Sequence, residues 1–143
     1  ELRAMHTSGI EIGSHTASHC RLTQTDDRRL VYELTASKTA PEQILGTEVG
    51  SFAYPYGDWD ERCAQAVAEA GYRQACTTRT GWALRDGNPY TLRRLTVFNH
   101  DTASSLCRKL VLAHNDGSFR ALADYLGNRV YARLRGSAGR EGG

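Results

Sequence analysis

No long apolar run interrupts this sequence; the longest strictly apolar stretch is a few residues, which excludes a membrane-spanning helix in the chain. Charge of one sign is not in excess either. Against 18 Lys and Arg stand 16 Asp and Glu, for a net charge of +2. So small a charge gives no general pull on nucleic acid or anionic lipid, and no nucleic-acid partner is expected. Cysteine is sparse: Cys20, Cys63, Cys76 and Cys107 are spread out with no C-x-x-C pair. That excludes a dense disulfide framework and predicts four free, mostly buried thiols. Repeats and low-complexity blocks are absent before the last eight residues. What is present is ordinary for a globular domain: 143 residues, 40% hydrophobic and 24% charged. Disorder of the whole chain is excluded on that composition.

The chain reads as alternating short strands and helices. Glu1 to Met5 reads as the tail of a helix already under way, without an N-cap residue before it, so a longer parent protein is expected. This helix stops at Gly9, and residues 10–14 follow as a short strand. Thr25 caps the next helix, with Asp26 and Asp27 in its first turn and Leu30, Val31 and Leu34 as its buried stripe. Pro41 ends that helix and starts a further turn closing at Gly46. Residues 50–54 form a second strand. Asp58 or Asp60 opens a helix with Cys63, Val67 and Ala70 on one face, stopped by Gly71. Residues 72–78 are a third strand, 81–89 a turn-rich loop, and 92–98 a fourth strand. A helix over 102–114 carries Leu106, Leu110 and Ala113. Ser118 caps a last helix faced by Phe119, Leu122, Leu126, Val130 and Leu134. Residues 136–143 read as a flexible tail.

Such alternation predicts an α/β fold with a parallel sheet. In that class the chemistry gathers where strands end. Two segments lie there. After the first strand, His15 and His19 stand four apart in Gly13-Ser14-His15-Thr16-Ala17-Ser18-His19. Two imidazoles at that spacing can aim at one point, and a catalytic zinc takes three protein ligands and one open position. The alternative is a pair of polar loop residues bonding the backbone. After the second strand, Tyr54-Pro55-Tyr56-Gly57 forms a rigid turn whose N–H groups keep fixed directions, as an oxyanion hole requires. The alternative is a plain turn with two rings in the core.

Taken together the two segments resemble signatures of the polysaccharide deacetylase family, the NodB-homology domain. His15-Thr16-x-x-His19 is similar to its second signature and Phe52-Ala53-Tyr54-Pro55-Tyr56-Gly57 to its third. Ala70-Gly71-Tyr72-x-x-Ala75 and Leu92-Arg93-Arg94-Leu95 fit the stretch that follows, and the resemblance reaches about Lys109.

The resemblance implies a partial, distorted (β/α) barrel lacking its first strands. It also implies a carbohydrate esterase-type hydrolase that removes acetyl groups from an acetylated carbohydrate polymer with a divalent metal, most often zinc. By position His15 and His19 are metal ligands and the Tyr56 N–H holds the oxyanion. Pro55 and Tyr56 are expected to bind substrate with the turn, and Trp59 to flank the groove because aromatic faces stack on sugar rings; the alternative for Trp59 is plain packing. Ala53 stands where the family often has Arg, which points to a subgroup with the F-A-Y-P-Y-G form.

The family's base and third ligand are adjacent aspartates on its first strand. The one Asp-Asp pair here, Asp26-Asp27, follows the histidines and sits at a helix start. The chain by itself is therefore expected to hydrolyse little. The alternative is a degenerate deacetylase-like domain that binds glycan or a partner without catalysis.

For the general acid, His100 is placed beyond the fourth strand, whereas Leu112-Ala113-His114 spells the family's late signature inside an expected helix. His114 is accordingly read as a partly buried structural residue, and His6 as surface. Trp82 reads as a lid or a packed anchor. Arg129, Arg133, Arg135 and Arg140 read as a solvated face. The expected organisation is a deacetylase portion over 1–115, a basic amphipathic helix over 116–135 and the tail. Missing first strands would leave an open sheet edge, and with it a tendency to self-associate. Family habit suggests the cell envelope or export.

Overall fold

The computed structural model describes the backbone of residues 1–83 and 87–138, and side chains as far as residue 132. Contacts divide the chain into two compact units, Glu1–Arg94 and Leu95–Gly143. The first holds helices α1 (Leu2–Thr7), α2 (Asp27–Leu45) and α3 (Glu61–Glu69), with strands β1 (Ser51–Ala53), β2 (Gln74–Thr80) and β3 (Leu92–Arg94). The second holds α4 (Ala103–Leu112) and α5 (Phe119–Ala138). The strands pair parallel in the order β1-β2-β3, as the alternation predicts.

The sheet is narrower and shorter than expected. Of residues 10–14 only Ser14 joins it, through a single parallel bridge to Phe52. Ser14 N–H donates to the Ser51 carbonyl at 2.8 Å, and Ala53 N–H donates to the Ser14 carbonyl at 2.9 Å. The Ile10 N–H instead closes the end of α1 on the Met5 carbonyl, so the helix stop competes with the strand. Likewise β3 ends at Arg94, where the expected strand ran to residue 98. Beyond it side chains take the backbone donors: Thr96 N–H bonds Asn115 Oδ1, and Phe98 N–H bonds Asp101 Oδ2, both at 2.8 Å.

The N-cap of α2 falls on Asp26, whose carboxylate accepts from Arg29 N–H at 2.8 Å. Thr25, expected there, is occupied closing the preceding 3-10 turn onto the Leu22 carbonyl. The helix does not break at Pro41 but continues to Leu45 and ends at Gly46 in the left-handed region, φ 70°. The proline deprives the Ser37 carbonyl of its helical donor. Around it Lys38 Nζ grips Glu42 at 2.8 Å, and the same Glu42 oxygen takes the Val49 N–H at 2.9 Å. Leu30 and Leu34 are buried as expected, but Val31 is 54% exposed and Glu33 takes the inward position.

The core of this unit is Leu22, Leu30, Leu34, Val49, Phe52, Tyr54, Cys63, Val67, Tyr72 and Ala75. Phe52 and Tyr54 lie two apart, on one side of the β1 strand line, and meet edge to face with ring centroids 5.3 Å apart. Asp60, not Asp58, caps α3 by accepting from Cys63 N–H, and Cys63 and Val67 form its buried stripe. All four cysteines are free, yet only Cys63 is buried. Cys20, packed at the border of the core, and Cys76 are half-buried, and Cys107 is exposed.

In the second unit Thr102 and Ser105 form a reciprocal capping box at the start of α4. The buried residue of α4 is Lys109, not Leu110. Lys109 Nζ meets Asp101 at 2.5 Å and the Thr96 carbonyl at 3.1 Å, and that pairing draws it inward. His114 lies past the helix end, exposed, with Nδ1 accepting from Asp116 N–H at 3.0 Å. It is not the half-buried helical residue expected, because Ala113 ends α4 in the left-handed region, φ 52°. Ser118 Oγ caps α5 by accepting from Ala121 N–H, as expected. The apolar face of α5 is not buried: Phe119 is 73% exposed, and Leu126 and Val130 are exposed too. One neighbouring helix, α4, covers only part of it. Part of the expected loop (Leu84 to Asp86), the Leu134, Arg133 and Arg135 side chains, and residues 139–143 of the expected tail lie outside the described residues.

Candidate metal and acetyl site

Three short segments meet at the end of β1: the histidine loop after Ser14, the Pro55–Gly57 turn, and Arg21 to Thr23. Ser14 is fixed twice, by its backbone bridge to β1 and by Ser14 Oγ donating to Ser37 Oγ of α2 at 2.7 Å. His15 follows directly. Its Nδ1 lies 2.6 Å from the carbonyl oxygen of Ala53. A carbonyl only accepts, so Nδ1 carries the hydrogen and Nε2 of the neutral ring has the free lone pair.

The loop then folds back on itself. Thr16 and His19 both sit at positive φ, 65° and 56°. For a β-branched threonine that region is an outlier, and each such residue costs about 1–3 kcal/mol. The fold-back sets the His15 and His19 rings 4.8 Å apart between centroids, edge to face. His19 Nδ1 lies 3.3 Å from the Tyr56 hydroxyl, and those two rings are 4.9 Å apart.

Pro55 starts the turn and is fully buried, while Tyr56 is 56% exposed and takes φ 60°. Gly57 follows at φ 68°, where a Cβ would meet Thr78 Oγ1 at 2.0 Å. Asp58 clips this turn to the Arg21 to Thr23 segment, accepting from Thr23 Oγ1 at 2.8 Å and from Arg21 at 3.3 Å. The Arg21 guanidinium also lies over the Tyr56 ring, 4.2 Å from its centroid.

The structure therefore brings together His15, His19, Pro55 and Tyr56. Trp59 sits on the border of the core beside Tyr54, with Arg79 over its ring at 5.1 Å. His100 belongs to the second unit, stacked on Phe98 with ring centroids 5.4 Å apart. There it lines a cleft of about 320 Å³ with Asp101, Ser105 and Lys109. His6 is exposed, as expected, and so is Trp82.

A residue that no sequence motif marks, Glu33, holds the loop from α2. Glu33 of α2 is 0% exposed. Its carboxylate accepts from Ala17 N–H at 2.8 Å, Ser18 N–H at 2.9 Å and Ser18 Oγ at 2.6 Å. Burial raises its pKa, but the Ser18 and Ala17 hydrogen bonds and the Arg29 charge outweigh that and hold it below the usual value. The available signal was its spacing: three after Leu30 and four before Ser37, on the helix face turned to the core.

Among the described residues no three His, Cys, Asp or Glu side chains converge as metal ligands. The two imidazoles nevertheless suit part of such a set. A metal-ligating histidine donates its other ring N–H to a carbonyl or carboxylate, which fixes tautomer and orientation. His15 is held in that way by Ala53.

Known proteins bear on this geometry. A YxkH protein of Bacillus subtilis, whose name places it among polysaccharide deacetylases, is 30% identical over 97 residues. The match covers 68% of this chain and 35% of YxkH. Chitin deacetylase 1 of Cryptococcus neoformans is 34% identical over 70 residues, 49% of this chain and 15% of that protein. The Streptococcus pyogenes deacetylase PplD, solved in complex with acetate, shares the fold with a TM-score of 0.73 at 23% identity. That match covers 76% of this chain and 48% of PplD, so the chain carries part of the fold and spans less than half of each of these relatives. The polysaccharide deacetylase family model matches residues 1–75, just over half of the chain and inclusive of both the histidine loop and the Pro-Tyr-Gly turn. With fold, motifs and sequence in agreement, the chain belongs to the polysaccharide deacetylase family.

Proposed function

We propose that this chain supplies part of the active site of a metal-dependent hydrolase that removes acetyl groups from an acetylated carbohydrate polymer. The observation that carries the reading is the His15–Ala53 hydrogen bond, with the His19 ring packed against the same imidazole. His15, through the Nε2 left free by the Ala53 bond, and His19, through a ring nitrogen, would hold the cation. A divalent cation such as zinc, when bound, polarises the acetyl carbonyl and lowers the pKa of a water.

The chain's own groups do the rest. The Pro55–Gly57 turn fixes the Tyr56 backbone, whose N–H donates to the acetyl oxygen as charge develops on it. Pro55 holds that turn from below, and the exposed Tyr56 ring and Trp59 border the sugar. His100, in the second unit, is proposed as a general acid on its chemistry alone, since an imidazole can give up a proton. In the organisation proposed, residues 1–115 carry the deacetylase portion and α5 is the basic helix that follows it; export or the cell envelope is the proposed setting.

Two imidazoles with no third ligand or base among the described residues make a weak metal site. The 143-residue chain alone is therefore proposed to bind zinc and to release no acetate. The test pairs a zinc titration with an acetate assay on acetylated chitooligosaccharide. Zinc binding that His15→Ala abolishes, without acetate release, is the expected result. Acetate release by the chain alone would overturn the inactive-fragment reading. Glycan binding indifferent to zinc and to His15→Ala would favour a binding domain instead.

A further inference from the structure

The turn between His15 and His19 is strained at both ends. Thr16 and His19 lie at positive φ, and the residues between them, Ala17 and Ser18, point both backbone N–H groups inward. Left alone, two inward amide hydrogens without acceptors would reopen such a turn. What receives them is a single buried carboxylate from α2. Glu33 accepts both amides and the Ser18 hydroxyl, all within 2.9 Å. Arg29, one helical turn earlier, pairs with Glu33 at 2.5 Å and donates to Ser18 Oγ at 3.2 Å.

We infer that Glu33 is the positioning residue of this site: its carboxylate fixes the turn between the two histidines and thereby sets the separation of their rings. This deepens, and rests on, the deacetylase reading. The choice of side chain follows from chemistry. An ionised carboxylate only accepts, and its two oxygens serve the three loop donors and the Arg29 guanidinium at once. Hydrogen bonds to an ionised acceptor are also roughly twice as strong as neutral ones. A glutamine of the same shape would set its NH2 group against either the two loop amides or the Arg29 guanidinium, donor against donor, and lose the charge in both cases. Among the described residues Glu33 has no hydrogen bond to either imidazole, so it acts through Ala17 and Ser18.

The test compares the intact chain with Glu33→Gln, measuring the nuclear Overhauser contact between the two imidazole rings, the zinc affinity and the thermal midpoint. The expected result is a folded variant whose ring contact is lost and whose zinc affinity falls about 10–100-fold, the range for removing a group behind metal ligands. Should the variant fail to fold, hydrogen exchange on the unaltered chain decides. The Ala17 and Ser18 amides should then be protected as strongly as that of Leu34 inside α2. Wild-type ring contact and zinc affinity in a folded Glu33→Gln, or exchange of those two amides at free-loop rates, would overturn the inference. If zinc binding ignores His15→Ala while the ring contact still needs Glu33, the metal reading falls and the positioning role stands.

Discussion

His15 and Ala53 lie 38 residues apart in sequence and are joined by one 2.6 Å hydrogen bond, imidazole Nδ1 to backbone carbonyl. The bond couples the histidine loop to the end of β1 and decides which ring nitrogen stays available. Everything proposed for the site depends on that coupling, and its surroundings give further expectations.

The first concerns the helix beneath the loop. Leu34 is 0% exposed and Val31, three residues earlier, is 54% exposed. Leu34→Ala should lower the unfolding free energy by about 2–5 kcal/mol, from lost burial plus the cavity left behind. Val31→Ala should change it by less than about 0.5 kcal/mol. Denaturant titration of both variants checks the contrast, and equal losses would mean that α2 is rotated from the position described.

Gly57 gives the second. At φ 68° a side chain is strained, and a Cβ there would lie 2.0 Å from Thr78 Oγ1 and 2.6 Å from Thr78 Cβ. Gly57→Ala should destabilise by more than about 2 kcal/mol, the left-handed penalty and the overpacking together. Adding Thr78→Ala should recover part of the loss and no more, since the φ penalty remains. Full recovery in denaturant melts would show that the turn's backbone differs.

The third is a pH dependence in the second unit. Lys109, bonded to Asp101 at 2.5 Å, pulls that carboxyl down to about 2, with help from the Phe98 N–H. The folded pKa is depressed, so the stabilisation is fully present above the unfolded value of about 3.9 and is lost as pH falls through 2. Carbon-detected titration of the Asp101 carboxyl should give its midpoint near the low value. Asp101→Asn should remove the loss of stability between about pH 4 and pH 2. A midpoint near 3.9 would contradict the buried pair.

The alternation of turns and apolar positions made the parallel sheet legible from sequence. Helix boundaries were also legible at Gly71 and Thr102, whereas at the start of α3 the sequence left Asp58 and Asp60 open and the Cys63 N–H chose Asp60. Ends decided by competition were not. The Ile10 N–H goes to α1 and the Thr96 N–H to Asn115, and neither partner is visible in local periodicity. Helical spacing misassigned Val31 and Leu110 because polar residues beside them, Glu33 and Lys109, are drawn inward by partners distant in sequence. The site divides in the same way. Motif spacing brought out the two histidines and the Pro-Tyr-Gly turn, whereas Glu33 depends on donors 15 and 16 residues upstream, a relation only the fold reveals.

The most direct measurement is nitrogen-15 NMR of the imidazole rings during a zinc titration, which reads protonation and coordination at each nitrogen. His15 should keep its hydrogen on Nδ1, bonded to Ala53, and Nε2 of His15 should shift together with one ring nitrogen of His19 as a single zinc ion binds. A shift at His15 Nδ1, or at one histidine without the other, would contradict this coordination.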